Sequence, residues 1–160
     1  MFHITGYNGT REENYELVIK QLRALIEGEA NFIANLANAS ALLNHFLEQV
    51  NWVGFYLAEG EELVLGPFQG LPACVRIPFG KGVCGTAAQN KKTELVPDVH
   101  LFPGHIACDA ASRSEIVVPM MKNGCVIGVL DIDSPIKNRF DDIDRYYLEK
   151  FVEALISSHE

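Results

Sequence analysis

Apolar positions recur along this chain with two different periods, and the change of period divides it. Leu17, Val18, Leu22, Leu25 and Ile26 fall at near-helical spacing, and Phe32, Leu36, Leu42, Leu43, Phe46 and Leu47 do so again. Residues 1–50 therefore read as two helices with a break near Gly28. From Asn51 the period shortens. NWVGFYLAEGEELVLGP, Asn51 to Pro67, holds two strand-like runs around a Glu-Gly turn, which is a hairpin signal. CVRIPFG, from Cys74, reads as a further strand, and KGVCGTAAQNKK, from Lys81, becomes helix-like at Thr86, Ala87, Ala88 and Gln89. Lys92 to Arg113, with Pro97 and Pro103, has little periodicity and reads as a long loop, a kind of segment that tends to carry function. SEIVVPMMKNGCVIGVLDIDS, from Ser114, gives the strongest signal: two strands joined at Asn123-Gly124, a favoured hairpin turn. An amphipathic helix closes the chain from about Asp141 to Ser157, with Ile143, Tyr147, Leu148, Phe151, Val152 and Leu155 facing inward.

This order predicts an α+β fold, a mostly antiparallel sheet with N- and C-terminal helices packed on it. A length of 160 residues with 48% hydrophobic content suits one domain, 1–160, with a sizeable core. The net charge of −8 argues against a nucleic-acid binder, which needs a basic patch. No apolar run approaches the roughly 20 residues of a membrane span, and MFHITGYNGTREENYE lacks the pattern of a signal peptide. The expected compartment is the cytoplasm, where cysteines serve as free thiols, metal ligands or redox groups rather than staples.

Four cysteines stand at Cys74, Cys84, Cys108 and Cys125. No pair is Cys-x-x-Cys, and His100 and His105 complete no zinc pattern, so no metal is expected. Cys125 lies within a strand and reads as a buried packing thiol. Cys84 enters a helix, whose N-terminus lowers a thiol pKa. Cys74 precedes a strand, behind Gly70-Leu71-Pro72-Ala73. Cys108 lies in the long loop among Ala107, Ala110 and Ala111, and Arg113 offers a thiolate partner. Three thiols in loops or element ends suggest one attacking cysteine and others that resolve a sulfenic acid into a disulfide.

The carboxylates add a second cluster. Period-2 alternation puts Asp131 and Asp133 on one face, and aspartate is depleted inside strands. Glu115 starts the partner strand, and crowded carboxyls raise one another's pKa, which supplies a proton donor near neutral pH. A two-residue Asn123-Gly124 turn alone, however, pairs Glu115 with Ile132 and turns it away from the aspartates. For all three to meet, the hairpin needs a bulge or a three-residue loop. Trp52, Gly54 and Tyr56 share one face of the first strand, two aromatics flanking a notch that could wall a small ligand with a methyl end. Gly80-Lys81-Gly82-Val83-Cys84-Gly85-Thr86 lacks the full phosphate-loop pattern, which excludes nucleotide hydrolysis.

In NWVGFY, in KGVCGTAA, in the Cys74, Cys84, Cys108 series, in SEIVVP and in GVLDIDSP, the chain resembles the free methionine-(R)-sulfoxide reductases, single-domain members of the GAF superfamily, over nearly its whole length. That resemblance implies Cys108 as the attacking cysteine, Cys74 as the usual resolving cysteine and Cys84 as a third thiol able to join disulfide exchange. It implies Glu115, Asp131 and Asp133 as the acidic pocket for the ligand's ammonium and sulfoxide ends, and Trp52 and Tyr56 as the wall around its methyl group. Backbone amides before Glu115 would receive the substrate carboxylate. The implied substrate is free methionine (R)-sulfoxide, the implied recycling partner thioredoxin, and no cofactor is required. The N-terminal helices offer a face for a homodimer. The competing reading is a non-catalytic GAF small-ligand or redox sensor domain, and the two separate on whether Cys108 shares a pocket with the three carboxylates.

Overall fold

Side-chain caps decide where the helices start. Thr10 and Glu13 form a capping box at the head of α1 (Arg11–Ile26), Asn31 caps α2 (Phe32–Phe46), and Asp141 with Asp144 caps the closing helix α4 (Asp142–Ser157). Each cap satisfies main-chain N–H groups that a first turn leaves unpaired. Between α2 and α4 run β1 (Trp52–Glu59), β2 (Glu62–Gln69), β3 (Arg76–Pro78), α3 (Gly82–Asn90), β4 (Glu94–Val96), a 3-10 turn (Val99–Leu101), β5 (Ser114–Lys122) and β6 (Cys125–Ser134). These elements come from a computed structural model that describes Phe2 and residues 6–106 and 108–159. Ala107, one of the small residues expected around Cys108, lies outside the described residues.

The strands form one sheet in the order β3-β2-β1-β6-β5-β4, antiparallel at every step. One face carries Val53, Phe55, Ile116, Val118, Met120, Leu130 and Ile132 and packs with the buried stripes of α1, α2 and α4. The opposite face carries Trp52, Tyr56, Val117 and Val129 and packs against α3. The pleat sends alternate residues of each strand to opposite faces. Both faces are covered, so the sheet is the middle layer of the domain.

The β5–β6 hairpin settles the register. Asn123 and Gly124 both have positive φ, as a tight primed turn requires, and pair Lys122 with Cys125. Two residues further on, the ladder shifts: Met121 pairs with Val126, but Met120 pairs with Gly128. The extra residue, Ile127, is the expected bulge, and it brings Glu115 opposite Asp133 rather than Ile132. Gly128 suits this site, because a Cβ there would collide with the Tyr56 carbonyl of β1.

Several expectations need correction. The third helix starts at Gly82, ahead of Thr86, and the segment after Lys92 contains β4 and a 3-10 turn. Neither short element has enough apolar repeats to show as a period. Cys125 is not a buried mid-strand thiol. It is the first residue of β6, at the hairpin tip, and exposed. The notch at Gly54 is also closed. A Cβ on Gly54 would collide with Phe68 of β2, and Phe68 stacks on Trp52 with ring centroids 5.0 Å apart.

Candidate active site

Three antiparallel strands present one cross-strand row on the α3 side of the sheet. Trp52 of β1 pairs with Asp133 of β6, and Asp133 pairs with Glu115 of β5. Asp131 occupies the same face one pleat further along, opposite Gly54 and Val117. Directly paired residues of an antiparallel sheet point to the same side. The backbone thus gathers Trp52, Glu115, Asp131 and Asp133, and α3 brings Cys84 down onto them. The Cys84 thiol donates to Glu115 Oε2 across 3.9 Å.

The two loops above this row are stapled together. Cys74 and Cys108 form a disulfide, their Cα atoms 5.6 Å apart across 34 residues of sequence. Cys108 lines a pocket with Trp52, Tyr56, Cys84, Glu115, Asp131 and Asp133. The free space in this pocket is small, about 40 Å³. The aromatic pair also holds the loop before Cys74. Trp52 Nε1 donates to the Leu71 carbonyl at 3.1 Å and Tyr56 Oη to the Cys74 carbonyl at 2.9 Å. Their rings stack with centroids 5.9 Å apart.

Glu115, Asp131 and Asp133 are 5%, 7% and 9% exposed. Among the described residues, none of the three forms an ion pair with Lys or Arg. Burial, and then the Asp131 charge, push Glu115 and Asp133 well above the carboxylate range. Burial also raises Asp131, but hydrogen bonds from Glu115, Cys84 and Asp133 partly offset it. Glu115 and Asp133 are pushed up further, and Asp131 is therefore the member whose rise is held back by its neighbours. Its Oδ1 is buried without a hydrogen-bond partner, an acceptor open to a cationic ligand group.

Cys84 runs against expectation. It lies in the first turn of α3, yet burial and then the neighbouring Asp131 and Glu115 charges raise its pKa well above that of a free thiol. A helix terminus contributes about 0.3–1 kcal/mol to a nearby charge at the surface, which does not offset desolvation beside carboxylates. Arg113 makes no thiolate pair. It is exposed, its N–H donates to the Ser134 carbonyl at 2.7 Å, and the Cys108 sulfur is bonded to Cys74. Cys84, Glu115 and Asp131 bring a sulfur and two carboxylate oxygens within 4.8 Å of one another, the donors a metal would meet here. The protons that Cys84 and Glu115 retain compete for the same atoms.

Some lining residues escaped the sequence reading. His105, Asp109 and Ser112 face the pocket from the long loop, and burial pushes the His105 pKa down. Asn51, just before β1, donates to Asp109 and Ser112. Asn, Ser and Asp are ordinary loop residues, so only their proximity to Cys108 in the sequence could have pointed to them.

A GAF domain model matches residues 22–157. The free methionine-R-sulfoxide reductase of Escherichia coli (strain K12) is 53% identical over 145 residues, covering 91% of this chain and 88% of that protein. The substrate complex of the free methionine-R-sulfoxide reductase from Neisseria meningitidis superposes with a TM-score of 0.94 at 43% identity, covering 99% of this chain and 95% of that one. The reduced form of fRMsr from Staphylococcus aureus superposes with a TM-score of 0.90 at 57% identity, covering 98% and 100% of the two chains. Among the described residues no helix is long and apolar enough to cross a membrane.

Proposed function

Because the chain belongs to the GAF domain family and, within it, to the free methionine-R-sulfoxide reductases, we propose that its pocket reduces free L-methionine (R)-sulfoxide to L-methionine. The observation that carries this reading is the meeting of Cys108 with Glu115, Asp131 and Asp133 in one pocket, with Cys108 already joined to Cys74. A ligand sensor has no use for that disulfide, and a redox sensor has none for three buried acids beside it.

The chemistry follows from the protonation states. Asp131, with Oδ1 buried and unpartnered, receives the substrate ammonium. The carboxylate goes to main-chain amides of the Cys108 loop other than those of Ala111, Ser112 and Arg113, which already donate within the protein, and Trp52 and Tyr56 wall the methyl end. Holding both charged ends of the amino acid inside excludes peptide-bound residues. The Cys108 thiolate attacks the sulfoxide sulfur while Glu115 or Asp133, neutral through burial, protonates the oxygen. The oxygen passes to Cys108 as a hydroxyl, the sulfoxide sulfur gains two electrons, and methionine leaves a sulfenic acid behind. The Cys74 thiol displaces that hydroxyl as water and forms the disulfide. An external dithiol of the thioredoxin kind takes the disulfide apart by exchange. Every electron comes from thiols, so the scheme calls for no metal or organic cofactor. Its working compartment is the cytoplasm, where such reductants return disulfides to thiols.

The test is turnover of free L-methionine (R)-sulfoxide with dithiothreitol, beside the (S)-epimer and a peptide-bound sulfoxide. Turnover of the free (R)-epimer alone is the expected result. No turnover by folded, reduced protein would return the site to the sensor reading.

A further inference from the structure

We infer that Asn51 is a positioning residue for the attacking thiol: its carboxamide ties the loop carrying Cys108 to the strand ends carrying the carboxylates. The inference rests on the reductase reading only for the identity of that thiol. Asn51 stands immediately before β1, and its N–H donates to the Asp133 carbonyl at 2.9 Å. Its main chain is thus pinned beside one of the three acids. Its side chain reaches the other way. Nδ2 donates to Asp109 Oδ2 at 3.0 Å and to Ser112 Oγ at 3.2 Å.

Those two acceptors close the turn that follows Cys108. Asp109 is the next residue, its Oδ1 accepts from the Ala111 N–H at 2.9 Å, and its carbonyl accepts from the Ser112 N–H at 3.2 Å. Asp109 and Ser112 line the same pocket as Cys108. Asn51 therefore grips both ends of the turn from the sheet.

The amide forgoes a bond to do so. Asn51 Oδ1 is buried with no hydrogen-bond partner, although folded proteins pair nearly all such atoms. Turning the amide over would set Oδ1 against the Asp109 carboxylate, and only the Ser112 hydroxyl could then donate to it. Both amide hydrogens are used only in the observed orientation. Aspartate here would repel Asp109, and serine would offer a single donor. The orphaned oxygen marks a side chain kept for two uncharged donors aimed at the loop.

Attack on the sulfoxide and capture by Cys74 both need the Cys108 sulfur held to within a fraction of an ångström, and small displacements cost large factors in rate. The experiment compares the natural protein with Asn51→Ala, Asn51→Asp and Ser112→Ala. It reads the equilibrium of the Cys74–Cys108 disulfide against dithiothreitol, kcat and KM separately, and the melting temperature. Expected for Asn51→Ala is a disulfide roughly 10-fold easier to reduce, the value of one charge-assisted bond, with kcat down about 10–100-fold and KM little changed. Asn51→Asp should be worse and Ser112→Ala milder in the same direction. An unchanged disulfide equilibrium with unchanged kcat in folded Asn51→Ala overturns the inference. Should Asn51→Ala fail to fold, Ser112→Ala decides by the same two readouts. A shifted disulfide equilibrium in a protein that turns over no sulfoxide supports the clamp and removes the reductase reading instead.

Discussion

The molecule buries carboxylates in two places and treats them in opposite ways. Asp144, between α1 and α4, meets Arg11 at 3.1 Å and Arg139 at 3.6 Å, accepts from Tyr15 Oη, and caps α4 through the Asp141 N–H. Glu115, Asp131 and Asp133, on the other side of the sheet, sit against one another without a Lys or Arg partner among the described residues. The first arrangement binds two helices together. The second stores protons, because neighbouring acids that cannot all ionise keep theirs. Burial is common to both. What differs is whether a cation reaches the acid, and that separates a structural carboxylate from one left free for chemistry.

The comparison breaks most sharply at the sulfur. Cys108→Ser should abolish sulfoxide turnover, a loss of roughly 1,000-fold or more, since the nucleophile itself is gone. Its melting temperature in reducing buffer should stay near that of the natural protein. Residual turnover above one hundredth would move the attack to Cys84.

Asp144→Ala tests the paired acid. It leaves Arg11, Arg139 and the buried Tyr15 hydroxyl without their shared acceptor; with Arg11 itself half exposed, the cost is that of a lost charged hydrogen bond to a buried group, about 1.5–3 kcal/mol. Urea unfolding reads the loss, while kcat of the folded fraction should be unchanged. A large fall in kcat would show that the two acid sites are coupled through the sheet.

Glu115→Gln tests the unpaired ones. It keeps shape and removes a proton donor, so kcat should fall about 100-fold. Stability should move the other way at alkaline pH, and the sign follows from the shifts. Glu115 and Asp133 hold their protons in the folded protein well above the ordinary 4.5 and 3.8. Their contribution is therefore complete below the ordinary carboxylate range and is lost as pH rises toward the folded values. Asp141, which Arg11 holds below its ordinary 3.8, contributes above that value and loses it as pH falls. Melting temperatures between pH 5 and 9 should decline less for Glu115→Gln than for the natural protein. A parallel decline would mean that Glu115 is already ionised.

The two faces of the sheet were unequally legible in the sequence. The helical side could be read from period alone, because Leu22, Leu36, Leu148 and Phe151 are buried where their spacing puts them. The register of Glu115 could be framed as a condition, a bulge in the β5–β6 hairpin, which Ile127 meets. The rest depends on facts that no local pattern carries. Cys84 looked like an activated thiol because a helix start is visible in sequence and burial among acids is not. The Gly54 notch looked open because Phe68, which fills it, is fourteen residues away on β2. Asn51 looked like a strand boundary because its partners, Asp109 and Ser112, arrive only when the long loop folds back.

The smallest effect concerns the two free thiols of the disulfide form, Cys84 and Cys125. Cys125 stands at the hairpin tip, exposed and far from any carboxylate row. Cys125→Ser should leave stability within about 0.5 kcal/mol, the usual range for surface changes. Cys84 is equally reduced but buried, and its proton is held by burial and by neighbouring charge. Iodoacetamide attacks the thiolate, so the folded disulfide form should take up one label, at Cys125, and a second only in denaturant. Peptide mapping by mass spectrometry distinguishes the sites. Labelling of Cys84 in the folded protein, at a rate near that of Cys125, would mean that the acidic pocket opens to solvent often enough to ionise it. The unpaired carboxylates could then not keep their protons either, and the contrast with Asp144 would disappear.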